Sequence, residues 1–323
     1  MDNIFIDFES WYKGKYGLRH MPALQYIRDP RFKLFGMGIA RNNEKPIWVS
    51  PENIEKVLRE YEIWNHRVIC HRVIFDGCII YEKYKLAAKQ WACTEGLSRA
   101  FLPFDKNGLD HIGMRLGIGG KLQGGKLLQL ENPTPEQLAE IGEYCCDDIE
   151  KTRIIWNICS PHQPEHQLKL QHIIARWAIQ PLLQIDVGKM ELGVRLAIEA
   201  RDKAIADSGL PESVLSSNKQ FGEWLDAQGI TRPTKISKTT EEETDAFGKN
   251  DPEFIELMVN HPNLQHVWAG RLAAKSNISV TRPQRMLDLA KTGPFPMPLN
   301  YWGAHTGRKS GTDKLNVQNL PNA

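Results

Sequence analysis

Apolar and polar positions divide the chain into two stretches of different character. Over residues 1–158, short apolar runs alternate with segments of helical spacing, the pattern of an α/β layer. Apolar runs at 35–40, 47–49 and 68–70 predict strands, and 90–93 predicts a short one. Residues 51–63 place Ile54, Val57, Leu58 and Tyr61 at helical spacing. A second helix is predicted from Phe75 to about Lys85, and a third carries Leu97 and Ala100. Residues 108–125 are glycine-rich and predict loop and short helix, without the glycine spacing of a phosphate loop. Pro135 opens a long helix that carries Leu138, Ile141, Tyr144, Cys145, Asp148 and Ile149. Ser160-Pro161-His162-Gln163-Pro164 marks a boundary. From 165 to about 289 the pattern is helical, with helices predicted over 165–178, 187–207, 219–228, 252–261 and 264–276. Residues 231–250, rich in Lys, Thr and Glu, predict a mobile loop. Pro294, Pro296 and Pro298 then precede a strand signal at Tyr301-Trp302.

The pattern breaks most sharply at the start. Ile4, Phe5, Ile6 and Phe8 make a buried strand into which Asp7 and Glu9 intrude. Side chains two apart on a strand share a side, so the two carboxylates face one spot. Two anions held together in a half-buried place call for a cation. The alternative is an edge strand with solvated acids. Asp76 follows the apolar run into the second helix, where the helix dipole favours an anion, and a capping role would explain it equally. Asp148 lies one turn beyond Tyr144 on the long helix, so both point the same way; an exposed acid beside a half-buried tyrosine is the plainer alternative. Four carboxylates converging from a strand, a helix start and a helix suit hard divalent ions, Mg²⁺ or Mn²⁺. Two such ions about 3.5–4 Å apart form a device for phosphodiester hydrolysis. A tyrosine near them can orient water, but with a reference pKa of about 10 it is a poor base.

Composition narrows the setting. A length of 323 residues predicts roughly two domains, and 41% hydrophobic with 25% charged residues is ordinary for a globular protein. The net charge of +2, from 41 basic and 39 acidic residues, is too balanced to announce a nucleic-acid partner, so any basic surface is local. No apolar run approaches a membrane span, and the chain enters its first strand without a signal peptide. The six cysteines, two of them adjacent, predict free thiols in a reducing cytosol, and no Cys/His spacing suggests zinc.

Asp7-Phe8-Glu9, Phe75-Asp76 and the run from Tyr144 to Asp148 together resemble the three motifs of the DEDD 3′–5′ exonucleases. The subclass resembled is the tyrosine type, with Tyr144 four residues before the last Asp; the histidine type would place His where Glu143 stands. The resemblance implies a ribonuclease H-like (DnaQ-like) α/β domain with a mixed sheet. It makes Asp7, Glu9, Asp76 and Asp148 ligands of two Mg²⁺, with Mn²⁺ as an alternative, and it makes Tyr144 the residue that positions water. The second motif departs from the family pattern, because Arg72 stands where the family has Asn. Arg72 is long and cationic, so it could contact a phosphate or turn to solvent.

Gly303-Ala-His-Thr-Gly-Arg-Lys-Ser-Gly311 and Leu315-Asn-Val-Gln-Asn-Leu-Pro321 resemble the segment entering the palm of phage-type family A DNA polymerases, with Val317 in place of Leu. This implies that Thr306, Arg308, Gln318 and Asn319 contact the primer-template, chemistry suited to phosphates and shared minor-groove acceptors. The helical stretch resembles that family's thumb, which makes Lys219, Lys235 and Lys238 candidate DNA contacts. The expected organisation is an exonuclease domain over 1–160, a mainly helical thumb over 161–291 and a truncated palm edge over 292–323. Nothing in the chain replaces the family's palm acids or fingers. The resemblance therefore implies proofreading 3′–5′ exodeoxyribonuclease activity, with polymerisation only beside a second chain that supplies palm and fingers. Two other functions stay open: a DNA-binding subunit of a split polymerase, and an exoribonuclease of the RNase D type. The expected partners are a single-stranded 3′ end and primer-template duplex, with no membrane. The expected location is the cytoplasm, that of a host cell if the chain is phage-encoded.

Overall fold

The computed structural model describes residues 1–102, 106–120, 122–237, 241–276 and 278–319. It divides into two compact units, Met1–Gln184 with Thr292–Ala323, and Ile185–Lys291.

The first unit is built on a five-stranded mixed sheet of order β3-β2-β1-β4-β5. Its strands are β1 (Asn3–Ser10), β2 (Leu34–Arg41), β3 (Ile47–Val49), β4 (Arg67–Cys70) and β5 (Gln90–Cys93). β1, β2 and β3 pair antiparallel, while β4 and β5 continue the sheet in parallel. Its helices are α1 (Ala23–Arg28), α2 (Ile54–Glu60), α3 (Val73–Tyr84), α4 (Thr94–Phe101), α5 (Leu109–Arg115), α6 (Pro135–Cys159) and α7 (Glu165–Ile179). The central strand is central because it is apolar on both faces: Ile4, Phe5, Ile6 and Phe8 are all buried. Phe5 joins Ile69, Ala92, Ile149, Ile155 and Trp156 in one core cluster, which packs α6 against the sheet.

α6 is the longest helix, and its start is written in the sequence. Pro135 occupies its first turn, and Thr134 and Gln137 form a reciprocal capping box. What lets it lie close to the sheet is glycine. Gly36 and Gly38 of β2 stand directly opposite Glu9 and Asp7. A Cβ on Gly38 would lie 2.7 Å from Ile149 Cδ1 and 2.9 Å from Cys145 Sγ. The Trp48 indole of β3 fills the neighbouring space, against Gly36 and against Gly142 of α6.

Residues 292–323 return to the first unit through β8 (Leu299–Asn300) and β9 (Ser310–Gly311), an antiparallel pair. Beyond it, both carboxyl oxygens of Asp313 accept the Ala23 N–H, at 2.8 and 2.9 Å. Burial pushes the Asp313 carboxyl up from 3.8 to about 7. An unfolded Asp titrates near 3.9, so between about pH 4 and 7 the folded chain holds a proton that the unfolded chain has lost. Stability from this group is therefore greatest in acid and is lost as pH rises towards 7. Asp313→Asn cannot titrate. The thermal midpoint of wild type should thus fall relative to that variant between pH 5 and 7.5, and a constant difference would refute the assignment.

Among its described residues the second unit is helical except for one hairpin. It holds α8 (Val187–Asp207), α9 (Glu212–Ser216), α10 (Asn218–Ala227), β6 (Thr234–Ile236), β7 (Glu243–Asp245), α11 (Pro252–Asn260), α12 (Gln265–Lys275) and α13 (Ile278–Ala290). Phe221, Phe247, Phe254 and Trp268 form its aromatic core in edge-to-face pairs. Arg271, fully buried, lies over the Phe221 ring and donates to Leu215 O and Asn218 Oδ1, joining α12 to the start of α10. Within 231–250, where loop was expected, the β6–β7 pair stands instead over Thr234–Ile236 and Glu243–Asp245, while residues 238–240 lie outside the described residues. Thr234 and Ile236 suit a strand, Thr234 Oγ1 donates to Glu243 Oε1, and the next residues, Ala246 and Phe247, anchor the hairpin in the core. Among the described residues no helix is long and apolar enough to cross a membrane.

Candidate active site

Asp7 and Glu9 continue the side-chain row of Phe5, on the side of the sheet covered by α6. The β1–β2 register slips between Glu9 and Ser10, so the strand bends just past the second carboxylate. Glu9 is buried at 7% exposure, while Asp7 is partly open. β4 runs beside β1 and delivers the chain at Cys70 to the turn that starts α3. Arg72 is the residue before α3, and Asp76 falls in its first turn with 2% exposure. The Phe8 N–H donates to Asp76 Oδ1 at 3.2 Å, which ties the helix start to the central strand. Burial, and after it the charge of Asp7, pushes the Asp76 carboxyl well above its ordinary value.

Tyr144 and Asp148 descend from α6, buried at 6% and 2% exposure. All five side chains, Asp7, Glu9, Asp76, Tyr144 and Asp148, line one cleft of about 790 Å³. Asp147 and Glu150, which share the helix, pair with Lys151 and Arg153. The donor set therefore fits a hard divalent ion. It is carboxylate oxygen from three elements, and Asp76 is held back from ionising by burial first and then by the charge of Asp7, the part that a bound cation would offset.

The second motif is anchored from behind. The His71 ring bonds Thr94 Oγ1 at 3.0 Å and Asn107 O at 2.9 Å. Arg72 is exposed at the cleft mouth, with its guanidinium 3.4 Å from Glu95, which also pairs with Arg99 at 2.9 Å. Three contributors were not singled out from sequence. Arg19 and His20 line the cleft from the segment between β1 and α1. Their signal was available as a basic and aromatic stretch directly after Glu9. The Cys145 thiol donates to Asp7 O and Asp7 Oδ2, each at 3.4 Å. Its signal was its place three residues before Asp148, on the same helix face.

The candidate DNA contacts are distributed over both units. Lys219 is exposed in the first turn of α10, where Ser217 Oγ accepts the Gln220 N–H. Lys235, on β6, forms an ion pair with Asp251 at 2.7 Å. Thr306, Arg308 and Gln318 are exposed in the first unit. Asn319 closes a short 3₁₀ turn. Lys238 lies outside the described residues.

No protein-family model matches the chain, and no curated protein matches it in sequence. Solved structures do. The POL domain of Pol1 from M. smegmatis, in complex with DNA primer-template and dNTP, superposes with a TM-score of 0.58 at 16% identity over 99% of this chain. The chain spans about half, 52%, of that domain. A lesser overlap, with a TM-score of 0.37 and 17% identity, relates 56% of this chain to 83% of NrnC from Brucella melitensis. The likeness to the POL domain is one of fold.

Proposed function

We propose that this chain is a metal-dependent 3′–5′ exonuclease acting on DNA, joined to a primer-template-binding region of the family A polymerase type. The observation that carries this is the meeting of Asp7, Glu9, Asp76, Asp148 and Tyr144 around one cleft. Asp7, Glu9, Asp76 and Asp148 would hold two Mg²⁺ or Mn²⁺. Those ions, when bound, supply a nucleophile at neutral pH and neutralise charge on the phosphate.

The chain's own residues do the positioning. The Tyr144 hydroxyl, one helical turn from Asp148, would orient the attacking water; a phenol is too weak a base to do more near neutrality. Asp76 keeps its direction through the Phe8 N–H. Arg72 stands where the incoming strand would pass and would exchange part of its pairing with Glu95 for a phosphate. Arg19 would add positive potential to the entrance. Lys219, Arg308, Thr306, Gln318 and Asn319 would bind duplex backbone without reading sequence. Lys235 would do so only by leaving Asp251. A DNA primer-template in the M. smegmatis structure supports DNA as the polymer.

The test is incubation of the purified protein with single-stranded DNA labelled at its 5′ end. A ladder of shortened products with Mg²⁺ or Mn²⁺, abolished by EDTA, is the expected result. No ladder with either metal would overturn the proposal, and faster loss of an RNA of the same sequence would transfer the activity to RNA.

A further inference from the structure

We propose that Cys145 completes, with Asp7 and Glu9, a site for a thiophilic divalent ion, Zn²⁺ or Cd²⁺, which competes with Mg²⁺ for the same carboxylates. This rests on Asp7 and Glu9 being metal ligands. A thiol is a foreign donor in such a place. Hard Mg²⁺ takes oxygen ligands, whereas Zn²⁺ and softer ions accept sulfur readily.

The geometry points to a shared ion. One donor atom from each of Asp7, Glu9 and Cys145 can be chosen so that all three lie within 4.8 Å of one another. The Cys145 Sγ to Asp7 Oδ2 separation is 3.4 Å. Two ligands of one tetrahedral zinc, at about 2.3 Å for sulfur and about 2.1 Å for oxygen, stand about 3.5 Å apart. The thiol thus already holds, relative to Asp7, the spacing that coordination needs. Its proton, for which Asp7 O and Asp7 Oδ2 are equidistant acceptors, would leave to solvent as the ion enters.

Two further observations favour a cation at this point. Glu9 and Cys145 are buried, at 7% and 0% exposure, so neither donor is fully solvated. Asp76, bonded to the Phe8 N–H, brings a third carboxylate to the same cleft beside this pair, where like charges repel. A bound ion relieves that repulsion, and among divalent ions Zn²⁺ binds mixed donor sets more tightly than Mn²⁺. Cys145 is also fixed from behind. Its sulfur packs against the backbone of β2 at Gly38, so the side chain has little room to turn away from Asp7.

The experiment titrates the metal-free protein with Cd²⁺ and follows the ultraviolet thiolate-to-Cd²⁺ charge-transfer band, a signal independent of catalysis. Wild type should show a saturating band that Zn²⁺ displaces. Cys145→Ser should lose it, Asp7→Asn should weaken Cd²⁺ binding by at least about tenfold, and Cys146→Ser should keep it. Circular dichroism of each variant checks that it is folded. Should Cys145→Ser not fold, the Asp7→Asn and Cys146→Ser pair decides alone. No band in wild type, or a band that survives Cys145→Ser or is indifferent to Asp7→Asn, would overturn the proposal. Those outcomes are separate from DNA shortening with Mg²⁺. A protein that degrades DNA but shows no band refutes only the sulfur site, while one that shows the band but leaves DNA intact refutes only the exonuclease.

Discussion

Converting Asp7 and Glu9 together to alanine should reduce Mg²⁺-dependent shortening of single-stranded DNA by at least about 10³-fold, equivalent to about 4 kcal/mol of transition-state stabilisation. The two carboxylates sit on one strand beside α6, and among the described residues no other pair of cleft carboxylates comes from a single element. The second half of this prediction separates a metal site from a structural one. Without metal, the Asp76 carboxyl is raised by burial first and then by the like charge of Asp7. Raising pH from the unfolded Asp value of about 3.9 towards that raised value should therefore cost the metal-free protein stability. Removing Asp7 removes part of the repulsion, so in EDTA the double variant should melt no lower than wild type. Mg²⁺ should act the other way. An ion at 100 times its dissociation constant adds about 2.7 kcal/mol to a protein that binds it only when folded. Wild type should gain several degrees with Mg²⁺ and the variant none. A variant that still shortens DNA, or still gains stability from Mg²⁺, would remove Asp7 and Glu9 from the centre.

Much of this centre was legible before any coordinates. An apolar run that admits two acids two residues apart left a metal site and an edge strand with solvated acids both open; β1 is the central strand and carries both on one face. Tyr144 and Asp148, one turn apart, had to share a helix side, and the capping signals around Pro135 fixed that helix. The hidden parts depended on close approach between elements. Cys145 reads as one more apolar position in a helix core. Only the missing Cβ of Gly38, across the sheet, brings its sulfur against Asp7. The short helix Ala23–Arg28 was missed because six residues carry too little periodicity, although Ala23, Leu24, Tyr26 and Ile27 are all buried. The β6–β7 hairpin was missed for the opposite reason. Its Lys, Thr and Glu look solvated, and what holds it is the aromatic core immediately beyond. At the start of α3, the resemblance set Arg72 against a family Asn, but nothing in the sequence showed that Glu95 and Arg99 would receive it in a charged cluster.

Gly38→Val should damage activity more than it damages the fold. The added Cβ alone would stand 2.7 Å from Ile149 and 2.9 Å from Cys145, closer than real contacts allow, and valine adds two further methyl groups. Gly38 is held in register opposite Asp7 on the inner strand pair, so the sheet yields less readily than the helix above it. The ends of the Ile149 and Cys145 side chains give way first, and where the valine methyls meet the Cys145 backbone, 3.6 Å from that Cβ, α6 shifts and carries Tyr144, Cys145 and Asp148 with it. Overpacking of this kind costs about 1–3 kcal/mol of stability, which a chain of this size tolerates. A displacement near 1 Å at a reacting centre can cost about 10²-fold in rate. The expected outcome is a folded protein with a lowered midpoint, an approximately hundredfold loss in kcat and weakened stabilisation by Mg²⁺. Leu58→Ala supplies the comparison. Leu58 is fully buried in α2 and lines no part of the cleft. Its loss costs about 2–5 kcal/mol. If Leu58→Ala keeps wild-type kcat per folded molecule while Gly38→Val does not, the distance between α6 and the central strands is what sets the geometry of the centre. Equal loss in both would mean that stability alone governs activity, and the close approach at Gly38 would have no part in placing the carboxylates.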